Sequence, residues 1–440
     1  MAPSLGQRSG AGPSSSTTRT PASRPGARRA GRVRRLRGAA HSLCPVTAFD
    51  ESLLAPGSDL VGLTAAICDI PSVSGDEAAL ADAIEATLRA RPHLEVHRDA
   101  DAVVARTSFG RDRRVVVAGH IDTVPVADNL PTRLEAQPDR PGGGAGSRPQ
   151  ARRDDSPPEG TRRDDRVLWG RGTVDMKGGV AVALALACEL GTPGKVPAVD
   201  VTWVFYDHEE VEAARNGLGR LARNHPGLLD ADFAILGEPS NAGIEGGCNG
   251  TMRVEVRTRG VAAHSARSWT GVNAIHGAAD LLARLARYEP RTVAVEGLDY
   301  REGLNAVGIR GGIAGNVVPD ECVVEVNYRF APSRSEAEAE RHLREVFDGY
   351  DVTVTDSSPG ARPGLDAPMA KDFAAAVLAV TGGEPQPKYG WTDVARFAGL
   401  GIPAVNFGPG DALLAHKDDE RLHVAELSAC RDALRAWLLG

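Results

Sequence analysis

Three segments of this chain each run from a continuous apolar stretch into a cluster of acids and imidazole. Residues 115–118 lead into Gly119-His120-Ile121-Asp122, and residues 201–205 lead into Tyr206-Asp207-His208-Glu209-Glu210. Residues 233–236 end at Gly237-Glu238-Pro239-Ser240. Continuously apolar runs of this length suit strands buried on both faces of a mainly parallel sheet. The carboxyl ends of such strands share one edge, where ligands bind. Gathering His120, Asp122, Glu209, Glu210 and Glu238 there would crowd negative charges that are unstable without a cation between them. Imidazole and carboxylate donors without thiolate suit zinc, cobalt or manganese. The number of donors exceeds what one tetrahedral ion needs and favours a two-metal site.

His120 and Asp122 are two apart on an extended segment and so project to the same side. One can bind metal while the other orients the imidazole. Adjacent Glu209 and Glu210 point differently, which suits one as ligand and the other as general base. Glu212 is placed in a helix that follows, expected over 211–223. The glycine-rich segment 170–179 lacks the spacing of a nucleotide-binding loop. Its Asp175 is better explained as a metal ligand in a turn that the glycines permit. His416 lies beyond the last apolar run, 404–407, and supplies the second histidine that a second metal needs. His264 falls in a different part of the chain and could reach the edge only across a domain or subunit boundary. His93, His97, His225, His276 and His342 lack acidic clustering and read as structural or exposed.

The elements that must position these residues form an α/β pattern. Helices are expected over 59–68, 77–90 and 178–190, between the buried strands. From about residue 250 the texture changes to alternating polar and apolar residues, as in Thr251-Met252-Arg253-Val254-Glu255-Val256-Arg257. Strand, helix, two strands, helix and strand then follow, describing a small α+β domain, ferredoxin-like in its order, inserted into the larger one. The domains expected are 50–247 and 361–440 for the catalytic part and 248–360 for the insert. Residues 1–49 hold nine Arg and no Asp, Glu or Lys, and read as a disordered basic tail. An organelle transit peptide or a nucleic-acid-binding arm has a similar composition. Pro, Gly, Arg and Asp dominate 139–165, which reads as a disordered insertion.

A net charge of −7 over 440 residues gives no support to nucleic-acid or membrane binding by the whole protein. The longest apolar runs, such as 180–187, are far short of a membrane span. Six cysteines lie far apart with no Cys-x-x-Cys pair, as in reduced thiols of a cytoplasmic protein.

The segments 119–125, 170–179, 207–210, 237–240 and 415–420 occur in the order used by the dinuclear-zinc aminoacylase and carboxypeptidase family (M20), which residues 50–440 resemble outside the insertion. The resemblance implies that His120 and Glu238 bind one zinc, that Glu210 and His416 bind the other, and that Asp175 bridges them. Cobalt is a possible substitute. It implies Glu209 as general base, Asp122 as the partner of His120, and a homodimer formed through the inserted lid. His264 would then enter the neighbouring subunit's site to stabilise the oxyanion, and Asn316 and Arg329 would hold a substrate carboxylate. Residues 206–213 and 390–397 are most similar to the family's actinobacterial branch that acts on N-succinyl-L,L-2,6-diaminopimelate, with Thr392 near the succinyl carboxylate. Acetylornithine or other N-acyl amino acids are the alternative substrates. Ala415 precedes His416 where better-known members of that branch carry Asn.

Overall fold

Val115, Val116, Val117 and Ala118 offer no polar face to solvent, and strand Arg114–His120 accordingly lies inside an eight-stranded sheet. The computed structural model describes residues 48–54, 59–136 and 165–440. Arg114–His120 pairs in parallel with Asp200–Tyr206 on one side and Phe233–Leu236 on the other. Phe233–Leu236 in turn pairs in parallel with Ala404–Asn406. Antiparallel strands Ala102–Arg106 and Glu95–Asp99 extend one flank, and Glu245–Gly246 and Gln386–Pro387 the other. The fold is mixed α/β with a mainly parallel centre. Its four parallel strands all end at one edge.

Successive side chains on a strand face opposite layers. Val115 and Val117 join Trp203, Phe205 and Ile235 against helices Leu60–Cys68, Ala78–Arg89, Lys177–Glu189 and Val424–Leu439. Val116, Ala118, Val204 and Leu236 pack with residues of Gly217–Asn224 and Val394–Gly399. Phe49, expected in the tail, belongs to the first layer, and its amide donates to Thr87 Oγ1 at 3.0 Å. The expectations for residues 1–47 and for the insertion up to residue 164 lie outside the described residues.

The helix expected over 211–223 begins only at Gly217. Asn216 starts it, accepting from the Gly219 amide at 2.9 Å and donating to Asp393 Oδ2 at 2.9 Å. An N-cap residue sits outside the helix it caps. Glu212 is therefore an exposed loop residue and not a helical one.

Residues 250–358 contain a second sheet, ordered Gly303–Gly311, Glu321–Phe330, Gly250–Arg259, Asp351–Ser358, with every pairing antiparallel. Helices Ala274–Arg287 and Glu336–Val346 cover one face through Ala278, Leu281, Ala339 and Leu343, which meet Val254, Val256, Val324 and Val326. The Ser335 and Glu338 side chains form a capping box at the start of the second helix. Among the described residues, no helix of this segment covers the opposite face of the sheet.

One close approach joins the helix after Asp175 to the end of the strand before Glu238. A Cβ at Gly179, in the first turn of Lys177–Glu189, would stand 2.1 Å from the Gly237 carbonyl oxygen. Overpacking of this kind costs about 1–3 kcal/mol. Gly179→Ala is expected to lower the urea midpoint accordingly, whereas Gly227→Ala, with nothing within 4 Å of the added Cβ, leaves it in place.

Candidate metal centre

His120 is the last residue of its strand, and its amide is 3.3 Å from the Met176 sulfur. The imidazole is buried, with Nδ1 at 3.0 Å from the Asp122 carbonyl oxygen and 3.5 Å from its Oδ1. Nε2 faces the other way, 3.1 Å from Asp175 Oδ1. His416 reaches the same carboxylate from the opposite side. Its Nε2 lies 3.3 Å from Asp175 Oδ2 and 2.9 Å from Glu210 Oε1. Each Asp175 oxygen thus faces one histidine, the arrangement of a carboxylate shared between two centres.

Three overlapping groups have ligand atoms within 4.8 Å of one another: His120, Asp175 and Glu238; Asp175, Glu210 and His416; His120, Glu209 and Glu210. The expected metal residues, brought from five distant segments, meet at one point. Thr392, Glu209, Glu210, Glu238, Asp175 and His416 line a single cleft of about 880 Å³.

The electrostatics of this cluster follow from crowding. Burial pushes the Glu238 carboxyl up to about 7, with Asp175 adding to the effect. Burial also raises Glu209 well above the carboxylate range, reinforced by Glu210 and Glu238, and raises Glu210, reinforced by Asp175. Hydrogen bonds to Asp175 and Glu210 push His416 up to about 10. Burial disfavours charge on His120 and on Asp175. Their hydrogen bonds outweigh it, holding the His120 imidazole above its usual value and the Asp175 carboxyl below its own. Carboxylates that resist ionisation beside imidazoles that hold their protons are the signature of a pocket short of positive charge. The donor set, two imidazoles and carboxylates without thiolate, fits a pair of zinc-class ions.

Asp122 braces the centre. Its carboxylate accepts from Ser74 Oγ at 2.7 Å, the Glu209 amide at 2.9 Å and the Glu210 amide at 3.1 Å. One side chain thereby fixes both the His120 ring and the peptide carrying the two glutamates. Two further supports had not been singled out from the sequence. Glu420 is buried; its Oε1 accepts from the Val174 and Asp175 amides at 2.9 and 3.2 Å, and its Oε2 pairs with Arg171 at 2.9 Å. Lys388 donates to the Pro239 carbonyl at 2.6 Å and pairs with Glu245 at 2.8 Å, steadying the segment after Glu238. Only the position of Glu420, four residues beyond His416, offered a clue.

The opposite wall of the cleft comes from the helix-free face of the second sheet, including Thr251, Arg329 and Ser358. Arg329 and Thr392 both line this cleft, Thr392 with Oγ1 donating to Asn406 Oδ1 at 2.9 Å. His264 and Asn316 do not line the cleft. His264 ends the short strand Ala263–His264, and Asn316 immediately precedes its partner Val317–Val318, where the Ser265 amide donates to the Asn316 carbonyl at 2.9 Å. His264 is exposed, and its Nδ1 accepts from the Ala266 amide at 3.0 Å.

Residues 116–439 match the profile of peptidase family M20/M25/M40. The chain belongs to that family. It is 50% identical over 385 residues to a Mycobacterium tuberculosis protein named "Putative succinyl-diaminopimelate desuccinylase DapE", a match covering 87% of this chain and 98% of the relative. It is 42% identical over 399 residues to the succinyl-diaminopimelate desuccinylase of Corynebacterium glutamicum, covering 88% and 99%. Among solved structures, a Staphylococcus aureus tripeptidase shares the fold at TM-score 0.66 and 20% identity, over 86% of this chain and 97% of that one. A dinuclear metal-binding M20 peptidase of Bacillus subtilis shares it at TM-score 0.58 and 15% identity, over 86% and 96%. Members of the M20 family depend on metal, and the cluster around Asp175 is where this chain can hold it.

Loss of a partner that orients a metal-binding imidazole typically weakens metal affinity about 10–100-fold. Asp122→Ala is expected to do so here, read by competition for zinc with a chromophoric chelator.

Proposed function

We propose that this chain hydrolyses N-succinyl-L,L-2,6-diaminopimelate to succinate and L,L-2,6-diaminopimelate, as a homodimer carrying two zinc ions per subunit. The observation that carries the reading is Asp175 set between His120 and His416, with Glu209 beside His120 and Glu210. The substrate is supported by the names of the two relatives that match this chain over nearly their whole length.

His120 and Glu238 would hold one ion, Glu210 and His416 the other, with Asp175 shared between them. Bound zinc, or cobalt in its place, lowers the pKa of water and polarises a carbonyl. The chain's own residues do the remainder. Among the described residues no side chain donates a hydrogen bond to the Glu209 carboxylate, which leaves it free to take a proton from the attacking water. Glu209 then returns that proton to the leaving nitrogen. Arg329, and Asn316 from the lid, would hold a substrate carboxylate, and Thr392 the succinyl end.

Residues 248–360 would serve as lid and dimerisation domain, and the exposed apolar residues support this. Among the described residues, eight of the fifteen large exposed apolar side chains, including Trp269, Val307, Ile309 and Ile313, fall within residues 261–313. Gly303–Gly311, which carries two of them, is an edge strand. An unpaired apolar edge invites a symmetric copy. In such a dimer His264 would donate to the oxyanion in the partner's site. The five described cysteines are free and buried, in keeping with a cytoplasmic enzyme.

Three outcomes test the reading. Rates on N-succinyl-L,L-2,6-diaminopimelate and N-acetylornithine, measured side by side after zinc loading, should favour the former, and Glu209→Gln should retain its metal while losing about 10²–10⁴-fold in kcat. A higher rate on N-acetylornithine would assign the chain to the deacetylase branch. Glu209→Gln and His264→Ala, each nearly inactive alone, should recover about a quarter of wild-type activity when their subunits are mixed, because half of the dimers then carry one intact site. A mixture that stays inactive would remove His264 from the partner's site.

A further inference from the structure

The wall facing the metal centre carries a charge pattern that the reaction itself does not require. We infer that Arg253 and Asp356 recognise the far end of the substrate's diaminopimelate moiety, Arg253 taking its distal carboxylate and Asp356 its distal ammonium. The inference rests on the substrate proposed above and makes these two residues determinants of specificity.

Backbone register puts the pair together. Strand Asp351–Ser358 pairs regularly with Gly250–Arg259 as far as Val354 opposite Val254, then slips so that Asp356 stands opposite Arg253. Thr355 is the extra residue of a bulge, and its hydroxyl donates to the Arg253 carbonyl at 3.2 Å. Without the bulge, Asp356 would stand opposite Met252, a core residue. Bulges re-aim side chains in this way. Here the slip turns the carboxylate onto the helix-free face beside Arg253, and both residues line the cleft.

The pair is loose. Asp356 Oδ2 lies 3.9 Å from Arg253 Nε, and the two side chains are 26% and 59% exposed. An ion pair this long and wet adds little to stability. It does leave a carboxylate and a guanidinium side by side, each with hydrogen-bonding capacity unspent, as an amino-acid head group requires.

Arg329 completes the pattern. Thr251 stands opposite Arg329, and Arg253 lies two residues further along the same strand. Diagonal neighbours of this kind are about 7–8 Å apart. An extended seven-carbon diacid separates its carboxylates by a comparable span. Among the described residues Arg329 has no ion-pair partner, and burial, then Arg253, lower its affinity for its proton. The wall thus presents two cations and one anion. The diaminopimelate moiety of the acylated substrate presents two carboxylates and one free ammonium.

The test compares three substrates on wild-type enzyme, Asp356→Asn and Arg253→Gln: N-succinyl-L,L-2,6-diaminopimelate, N-succinyl-L-2-aminopimelate, which lacks the distal amine, and N-succinyl-L-2-aminoheptanoate, which lacks both distal groups. A charge-assisted hydrogen bond is worth about tenfold or more in binding. Wild-type enzyme should prefer the first over the second by about that factor in KM, and Asp356→Asn should abolish this preference. Arg253→Gln should abolish the preference of both over the third. Preference ratios that survive in the two variants would overturn the inference, including the case in which all three rates fall together. A wild-type enzyme that ignores the first substrate yet cleaves another N-acyl amino acid would overturn the substrate itself, and the two failures are thereby distinguished.

Discussion

Carboxylates confined at one sheet edge repel one another, and they stay together only where positive charge stands among them. Glu209, Glu210, Glu238 and Asp175 occupy such an edge, and every nearby element contributes to keeping them there. Asp175 is held between two imidazoles, with the positive end of helix Lys177–Glu189 immediately after it. Asp122 fixes the peptide of the two glutamates, Glu420 the loop of Asp175, and Lys388 the turn beyond Glu238. Removing the demand for cations would leave this set of braces without a purpose, because each one costs burial of a charge.

The second sheet solves a different problem. Its helix-covered face supplies a core of its own, and its other face supplies the cleft with Arg253, Arg329 and Asp356. A change of substrate can be accommodated on the lid without disturbing the metal ligands, in keeping with function residing in sites grafted onto a fold.

Much of this was legible in the sequence. The runs Val115–Ala118 and Val201–Phe205 announce buried parallel strands because nothing in them can face water, and the acids that follow announce an edge. The antiparallel insert was legible from alternation at 251–257. The less legible parts are long-range or backbone-borne. Glu420 acts on the amide of Val174, 246 residues away, and Lys388 on the carbonyl of Pro239, 149 residues away; nothing local marks either. The slip at Thr355 leaves the apolar alternation of Val352 and Val354 intact, so the orientation of Asp356 is invisible in one dimension. Glu212 was misplaced because apolar spacing does not reveal where a helix starts, whereas the cap residue Asn216 does. Phe49 was hidden by the arginine-rich residues before it.

The central claim is that one shared carboxylate joins two cations. Anomalous diffraction at the zinc edge from crystals of the zinc-loaded protein tests it most directly. The account predicts two ions per chain, one touching His120 and Glu238, the other Glu210 and His416, with Asp175 touching both. A single ion, or ions seated away from Asp175, would contradict it.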